Sequence, residues 1–333
     1  MHQPDQGPQR IRHFMLVLLA ILCWLPGRGA AQEAWPARPI TLIVPVAAGS
    51  GTDIGARLLA RDMGALLKAT VVVDNKPGAN GLIAAQQVAR AKPDGYTFLI
   101  GNASSNAANY AFYRDQPVLG YSPASFEIVG GIGMSPLSLY VAPNAPWRNL
   151  AELVADARAN PGKYSCGNGN STTKVACEVL SKQASITVLN VPYKGNPQSL
   201  LDLVSGRLSF AFADSSVAQS FIAGGKLRAL GVAAARRNPA TPDTATFIEQ
   251  GFAGFEITGW SAMFAPKGVP EPIIERLNDV IRQAIQTPEA RELRTRSGGI
   301  TLSLGLPEAR RWIADEVTRW SHFIDSTGVK PDQ

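Results

Sequence analysis

From about residue 40 onward the sequence alternates short runs of apolar and β-branched residues with longer runs of helical spacing. The strand-like runs are "ITLIVPV", "TVVVDN", "YTFLIGN", "LSLYVAP", "KYSCGN", "ITVLNVPY", "LSFAFAD", "LRALGVAA" and "SAMFAP". Several are apolar throughout rather than at every second position, which calls for a sheet covered by helices on both faces. Asp53 to Leu67 places Ile54, Leu58, Leu59, Met63, Leu66 and Leu67 on one helical face, with Ser50 or Thr52 as the cap. Further helices read from "ANGLIAAQQVAR", "NLAELVADARAN", "TTKVACEVLSKQ", "PQSLLDLVSG", "SVAQSFIAGG" and "EPIIERLNDVIRQAI". In a final helix, "PEARRWIADEVTRWSHFIDS", Trp312, Ile313, Val317, Trp320, Phe323 and Ile324 form a stripe read as core packing. Strand and helix in alternation define an α/β protein with largely parallel sheets, whose ligand site forms at the loops leaving the strand ends.

The first residues are set apart. Arg10, Arg12 and His13 precede the apolar run Phe14 to Leu25, which leads to Gly29, Ala30 and Ala31. This is the layout of a secretory signal peptide, residues 1–31, cut near Ala31, and the expected location is the periplasm. Removing Arg10, Arg12, Arg28 and Asp5 lowers the formal charge from +6 to +4. No basic block with interleaved aromatics is present, so nucleic acid is not an expected partner. Only Cys166 and Cys177 remain after cleavage. In an oxidising compartment such a pair reads as a disulfide, with two buried thiols as the alternative.

Several chemistries lack their residues. A Ser/His/Asp hydrolase needs a histidine, and the mature chain keeps only His322, inside the last amphipathic helix, with no G-x-S-x-G elbow. Clustered zinc ligands and a Walker loop are missing too, so no metal, cofactor or enzymatic activity is expected. What is present is a set of three turns that end apolar strands and open helices: "PVAAGSGTD", "GNASSNAAN" and "GNGNSTTK". Helix N-termini of this kind attract anions through unpaired N–H groups and the helix dipole. A competing reading is an NAD site: Gly49, Gly51 and Gly55 follow a strand, and Asp74 closes the next one. Against it stand the late third glycine, the long turn after Pro45 and the expected export.

At these residues the chain resembles the Bug-type solute receptors, the binding subunits of tripartite tricarboxylate transporters. The similar segments are "WPARPITLIVPVAAGSGTDIGARLLA", "VVVDNKPGANGLIAAQQVARAKPDGYTFLIG", "YSCGNGNSTTK", "VPYKGNPQSLLDLVSGRLSFAFAD", "GKLRALGVAAARRNPATPDTATFIEQG" and "FAPKGVPEPIIERLN". The resemblance implies a two-lobed periplasmic binding protein of type II-like α/β fold, with mixed sheets flanked by helices and the ligand between the lobes. Residues 36–137 plus 258–333 would form lobe 1 and residues 138–257 lobe 2. It implies a monomer that holds a small carboxylate (a di- or tricarboxylate, an aromatic acid or an acidic amino acid) and delivers it to membrane subunits. A sensor for a membrane signalling partner is the alternative.

Carried over by position, the site residues are Ala47, Ala48, Gly49, Gly51, Thr52 and Asp53; Ser104, Ser105 and Asn106; Gly169, Asn170, Ser171 and Thr172; and Asp214. Asp53 is expected to brace its loop rather than touch an anion. Asp214 either serves the ligand or closes an Asx turn. A Gly49→Val exchange is expected to fill the anion position. Lys174 stands where family members commonly have histidine, either at the pocket mouth or solvated on its helix.

Overall fold

The computed structural model describes residues 35–296 and 298–330; the expected signal peptide lies outside them. β1 (Ile40–Val44), α1 (Gly51–Leu67), β2 (Val71–Asn75), α2 (Leu82–Ala89) and β3 (Thr97–Asn102) form a first α/β run, with β1 parallel to both β2 and β3. A π-helical segment, Ser104–Ala108, continues into the short α3 (Asn109–Phe112) and then the long strand β4 (Phe126–Val141). A second run follows: α4 (Leu150–Ala159), β5 (Ser165–Asn168), α5 (Ser171–Ala184), β6 (Leu189–Pro192), α6 (Asn196–Val204), β7 (Phe210–Asp214), α7 (Ser215–Ala223) and β8 (Arg228–Val232). The chain returns through β9 (Thr258–Pro266), α8 (Glu271–Ala284), α9 (Pro288–Arg296), β10 (Ile300–Thr301) and α10 (Leu306–Thr327).

The strands follow the order β2-β1-β3-β9-β4-β7-β5-β6, and β8 and β10 each pair with β4. β5 is parallel to β6 and β7, as β1 is to its neighbours, but β4 and β9 run antiparallel to every strand they touch. The sheet is therefore mixed, not largely parallel, because β4 and β9 join the two α/β runs instead of extending either. β4 is much longer than the expected "LSLYVAP". Its residues Phe126–Pro136 pair with β9, and Leu137–Val141 pair with β7 and β8. The glycines of "FEIVGGIGM" admit neighbours: a Cβ on Gly131 would meet Leu302 at 2.7 Å, and one on Gly133 would meet Arg294 at 2.5 Å.

α1 buries Ala56, Leu59, Ala60, Met63 and Leu67, while Ile54 and Leu66 of the expected face are exposed. The buried stripe thus combines Leu59, Met63 and Leu67 of the expected face with the small Ala56 and Ala60. Trp320 and Ile324 of α10 enter the main core, with Trp312, Ile313 and Val317 packed against it, and His322 is exposed. Cys166 and Cys177 are bridged, their Cα atoms 6.2 Å apart, and both are fully buried. Among the described residues no helix is long and apolar enough to cross a membrane, and no group of His, Cys, Asp and Glu could hold a metal ion.

Candidate functional site

The turn from β1 to α1 is built by its own residues. Ser50 is the N-cap of α1, its Oγ accepting from the Asp53 N–H at 3.4 Å. The Asp53 carboxylate, 2% exposed, accepts from the Gly49 N–H at 2.9 Å, Asn75 Nδ2 at 2.9 Å and Arg57 Nε at 3.1 Å. Burial pushes its pKa up, but the donors from Arg57, Gly49 and Asn75 outweigh it and hold Asp53 below the ordinary carboxylate range. Asn75 Nδ2 also donates to the Val46 carbonyl at 3.1 Å, so both ends of the turn are tied to β2. The N–H groups of Gly51 and Thr52, the first two positions of α1, have no partner among the described residues. Both residues line a cleft.

That cleft has a volume of about 370 Å³, within the range of small-molecule sites. Of the residues nominated from sequence, Ala47, Gly51, Thr52, Ser104, Gly169, Asn170, Thr172 and Asp214 stand on its wall. Ala48 and Gly49 are exposed and off the wall, and Asp53 lies behind it. Ser105, Asn106 and Ser171 are buried in the supporting structure. At Gly49 no protein atom lies within 4 Å of an added Cβ, and its φ of +81° is a backbone shape that favours glycine.

The other two turns reach the cleft by hydrogen-bonding to each other. Thr172 N–H donates to Ser104 Oγ at 3.3 Å, and Ser171 Oγ donates to Asn109 Oδ1 at 3.0 Å. Asn170 caps α5 in a capping box with Thr173: Thr173 N–H donates to Asn170 Oδ1 at 2.9 Å, and the Gly169 and Asn170 N–H groups donate to Thr173 Oγ1. The N–H groups of Gly169, Asn170 and Thr172 are thus engaged within the protein, whereas those of Gly51 and Thr52 are not. Ser105 and Asn102 close the second turn through reciprocal bonds at 3.0 and 3.1 Å.

Two whole turns of the wall were not nominated, Gly78–Gly81 and Pro192 to Pro197, and neither were Val217, Gly259 and Trp260. Both turns carry the same signal as the nominated ones, a Gly/Pro/Asn cluster between strand and helix ("KPGANG" and "VPYKGNP"). Lys194 and Asp214 are the charged residues along the described wall, and Lys194 is exposed. Lys174 is neither at the mouth nor solvated; it is buried within α5. Asp214 makes no capping bond to α7, so the Asx-turn reading is not realised. Its Oδ2 accepts from Asn196 Nδ2 at 3.2 Å. Burial pushes its carboxyl up to about 6, with the Asn196 bond opposing.

Residues 55–329 match the model of the tripartite tricarboxylate transporter family receptor. This chain belongs to that receptor family. A relative from Pseudomonas sp. (strain P51), the UPF0065 protein in the tcbD-tcbE intergenic region, is 35% identical, with 89% of this chain and 88% of the relative covered. The solved periplasmic binding protein BugD superposes with a TM-score of 0.83 at 32% identity, covering 89% of this chain and 99% of BugD. The R. palustris protein Rpa4515, solved with adipate, has a TM-score of 0.84 at 30% identity, covering 90% and 100%. The receptor therefore has the expected periplasmic binding protein fold. Asp74, the acid that an NAD site would need, is ion-paired with Lys76 at 3.1 Å and does not line the cleft of the receptor.

Proposed function

We propose that this receptor captures a small organic carboxylate in the periplasm and delivers it to the membrane subunits of a tripartite transporter, with no covalent step. The observation that carries the reading is the α1 N-terminus: the unpartnered N–H groups of Gly51 and Thr52 open onto a ligand-sized cleft. A similar protein solved with adipate supports the ligand class. Residues 36–137 with 258–333 form one lobe and residues 138–257 the other, meeting where β4 exchanges β9 for β7 and β8. The Thr172–Ser104 and Ser171–Asn109 bonds then join the lobes across the cleft, and ligand favours the closed form by adding contacts present only there.

A thermal-shift screen of di- and tricarboxylates, aromatic acids and acidic amino acids tests this. A ligand at a hundredfold excess over its Kd should stabilise the protein by about 2.7 kcal/mol. Protein freed of co-purified ligand that responds to none of these acids would sink the proposal. Loss of uptake of the bound acid on deletion tests the transport role.

A further inference from the structure

Another cavity, of about 290 Å³, shares no lining residue with the cleft. Phe126 of β4, Phe264 of β9, and Ile313 and Val317 of α10 stand on its apolar walls, and Asn106 and Tyr110 are its polar lining residues. Phe126, Phe264 and Asn106 are buried, whereas Ala314, also on the wall, is exposed and marks the mouth. The Phe126 and Phe264 rings meet edge to face with centroids 6.2 Å apart. Protein interiors are close-packed, and a gap bounded by such side chains forfeits contacts that a guest would restore. An engineered apolar cavity of about 150 Å³ holds benzene, so one ring with a substituent fits this one.

The polar end of the cavity has an unmet demand. Asn106 is 1% exposed, and its Nδ2 finds no hydrogen-bond partner among the described residues. Buried amides in native proteins are nearly always paired, so this donor calls for an acceptor. The other arm of the amide is fixed: Oδ1 accepts from Ser105 Oγ at 2.7 Å and lies over β3, where a Cβ on Gly101 would meet it at 2.2 Å. Nδ2 is therefore the arm left to the cavity. Burial pushes the Tyr110 phenol up, the neighbouring Tyr121 adds to this and the Asn106 amide opposes it, so the Tyr110 hydroxyl stays protonated beside that amide. None of the described residues lining the cavity is charged. A carboxylate entering it would lose its hydration with no cation in return, so the cavity suits a neutral guest, unlike the cleft.

We propose that this cavity is a binding site for a neutral one-ring molecule with a single hydroxyl, a phenol, whose ring packs against Phe126 and Phe264 and whose oxygen accepts from Asn106 Nδ2 beside the Tyr110 hydroxyl. One such guest fills the gap and supplies the missing acceptor. The site does not depend on the carboxylate reading of the cleft.

Fluorine NMR titration of the receptor with para-fluorophenol and with fluorobenzene tests this. The phenol should bind saturably, and fluorobenzene, which has the ring without the hydroxyl, about tenfold more weakly. Asn106→Leu should bring the phenol down to the affinity of fluorobenzene and leave fluorobenzene unchanged. Ala314→Trp places a bulky ring at the mouth from an exposed position of α10, where folding is not at stake, and should abolish binding of both probes. No saturable binding of para-fluorophenol at millimolar concentration overturns the proposal. Equal affinity for the two probes in wild type overturns the part given to Asn106, and undiminished binding in Ala314→Trp overturns the location.

Discussion

Asp53 and Asp214 are the same side chain with opposite fates. Asp53 is surrounded by donors from Gly49, Asn75 and Arg57, and its charge holds the first turn in shape. Asp53→Ala leaves those donors unpaired and is expected to cost about 2 kcal/mol in denaturant unfolding. Because Asp53 is held below the ordinary aspartate value of 3.8, its contribution is complete above that pH and lost as pH falls through the lower folded value. The gap between wild type and Asp53→Ala should therefore close in acid, which unfolding curves at pH 6 and 3 measure. Asp214 has the opposite sign. Its folded value of about 6 lies above 3.8, so ligand-free stability declines as pH rises through that window. Asp214→Asn should melt higher than wild type at pH 7.5, by roughly 2–4 °C per kcal/mol regained, and no higher at pH 4. The role of Asp53 was legible from sequence because an acid three residues after a capping serine is a local pattern. That of Asp214 was not, because its environment comes from α6 and the β4–β9 ladder, distant in sequence.

The turns between strands and helices carry most of what the site can do. The Cys166–Cys177 bridge closes β5 onto α5 around Gly169, Asn170 and Thr172. Replacing both cysteines with serine should lower stability by about 3 kcal/mol in the chain-entropy model, which denaturant unfolding measures. Within that turn a Cβ on Gly169 would stand 2.2 Å from the Asn196 nitrogen. Gly169→Ala should thus push the β5–α5 turn away from the Pro192 to Pro197 wall and weaken carboxylate binding more than tenfold, with a folded circular dichroism spectrum. Gly49→Ala makes the contrast: it costs about 1–2 kcal/mol of backbone strain and leaves affinity close to wild type. Turns are readable because Gly, Ser, Asn and Pro announce them. Which N–H groups remain available is not, because Thr172 and Gly169 find their acceptors on Ser104 and Thr173 only after folding.

Across the whole molecule, alternation of apolar strands and helices was enough to give the α/β class, but not the sheet order. Strand order depends on β9, which returns after the second α/β run to lie between β3 and β4, and no local pattern encodes that pairing. The contacts of Asn109 with Ser171, and of Ser104 with Thr172, belong to this scale too. Asn109→Ala removes one of them and should favour a more open form, seen as a larger radius of gyration in ligand-free X-ray scattering. The long strand β4 has a different implication. Its first part completes the sheet of one α/β run and its last residues complete that of the other. Neither half owns a finished sheet, so fragments cut between Pro136 and Leu137 would each expose an unpaired edge and aggregate. The receptor is thus poorly suited to division into separately expressed pieces, and a new terminus is better placed in an exposed turn than anywhere along β4.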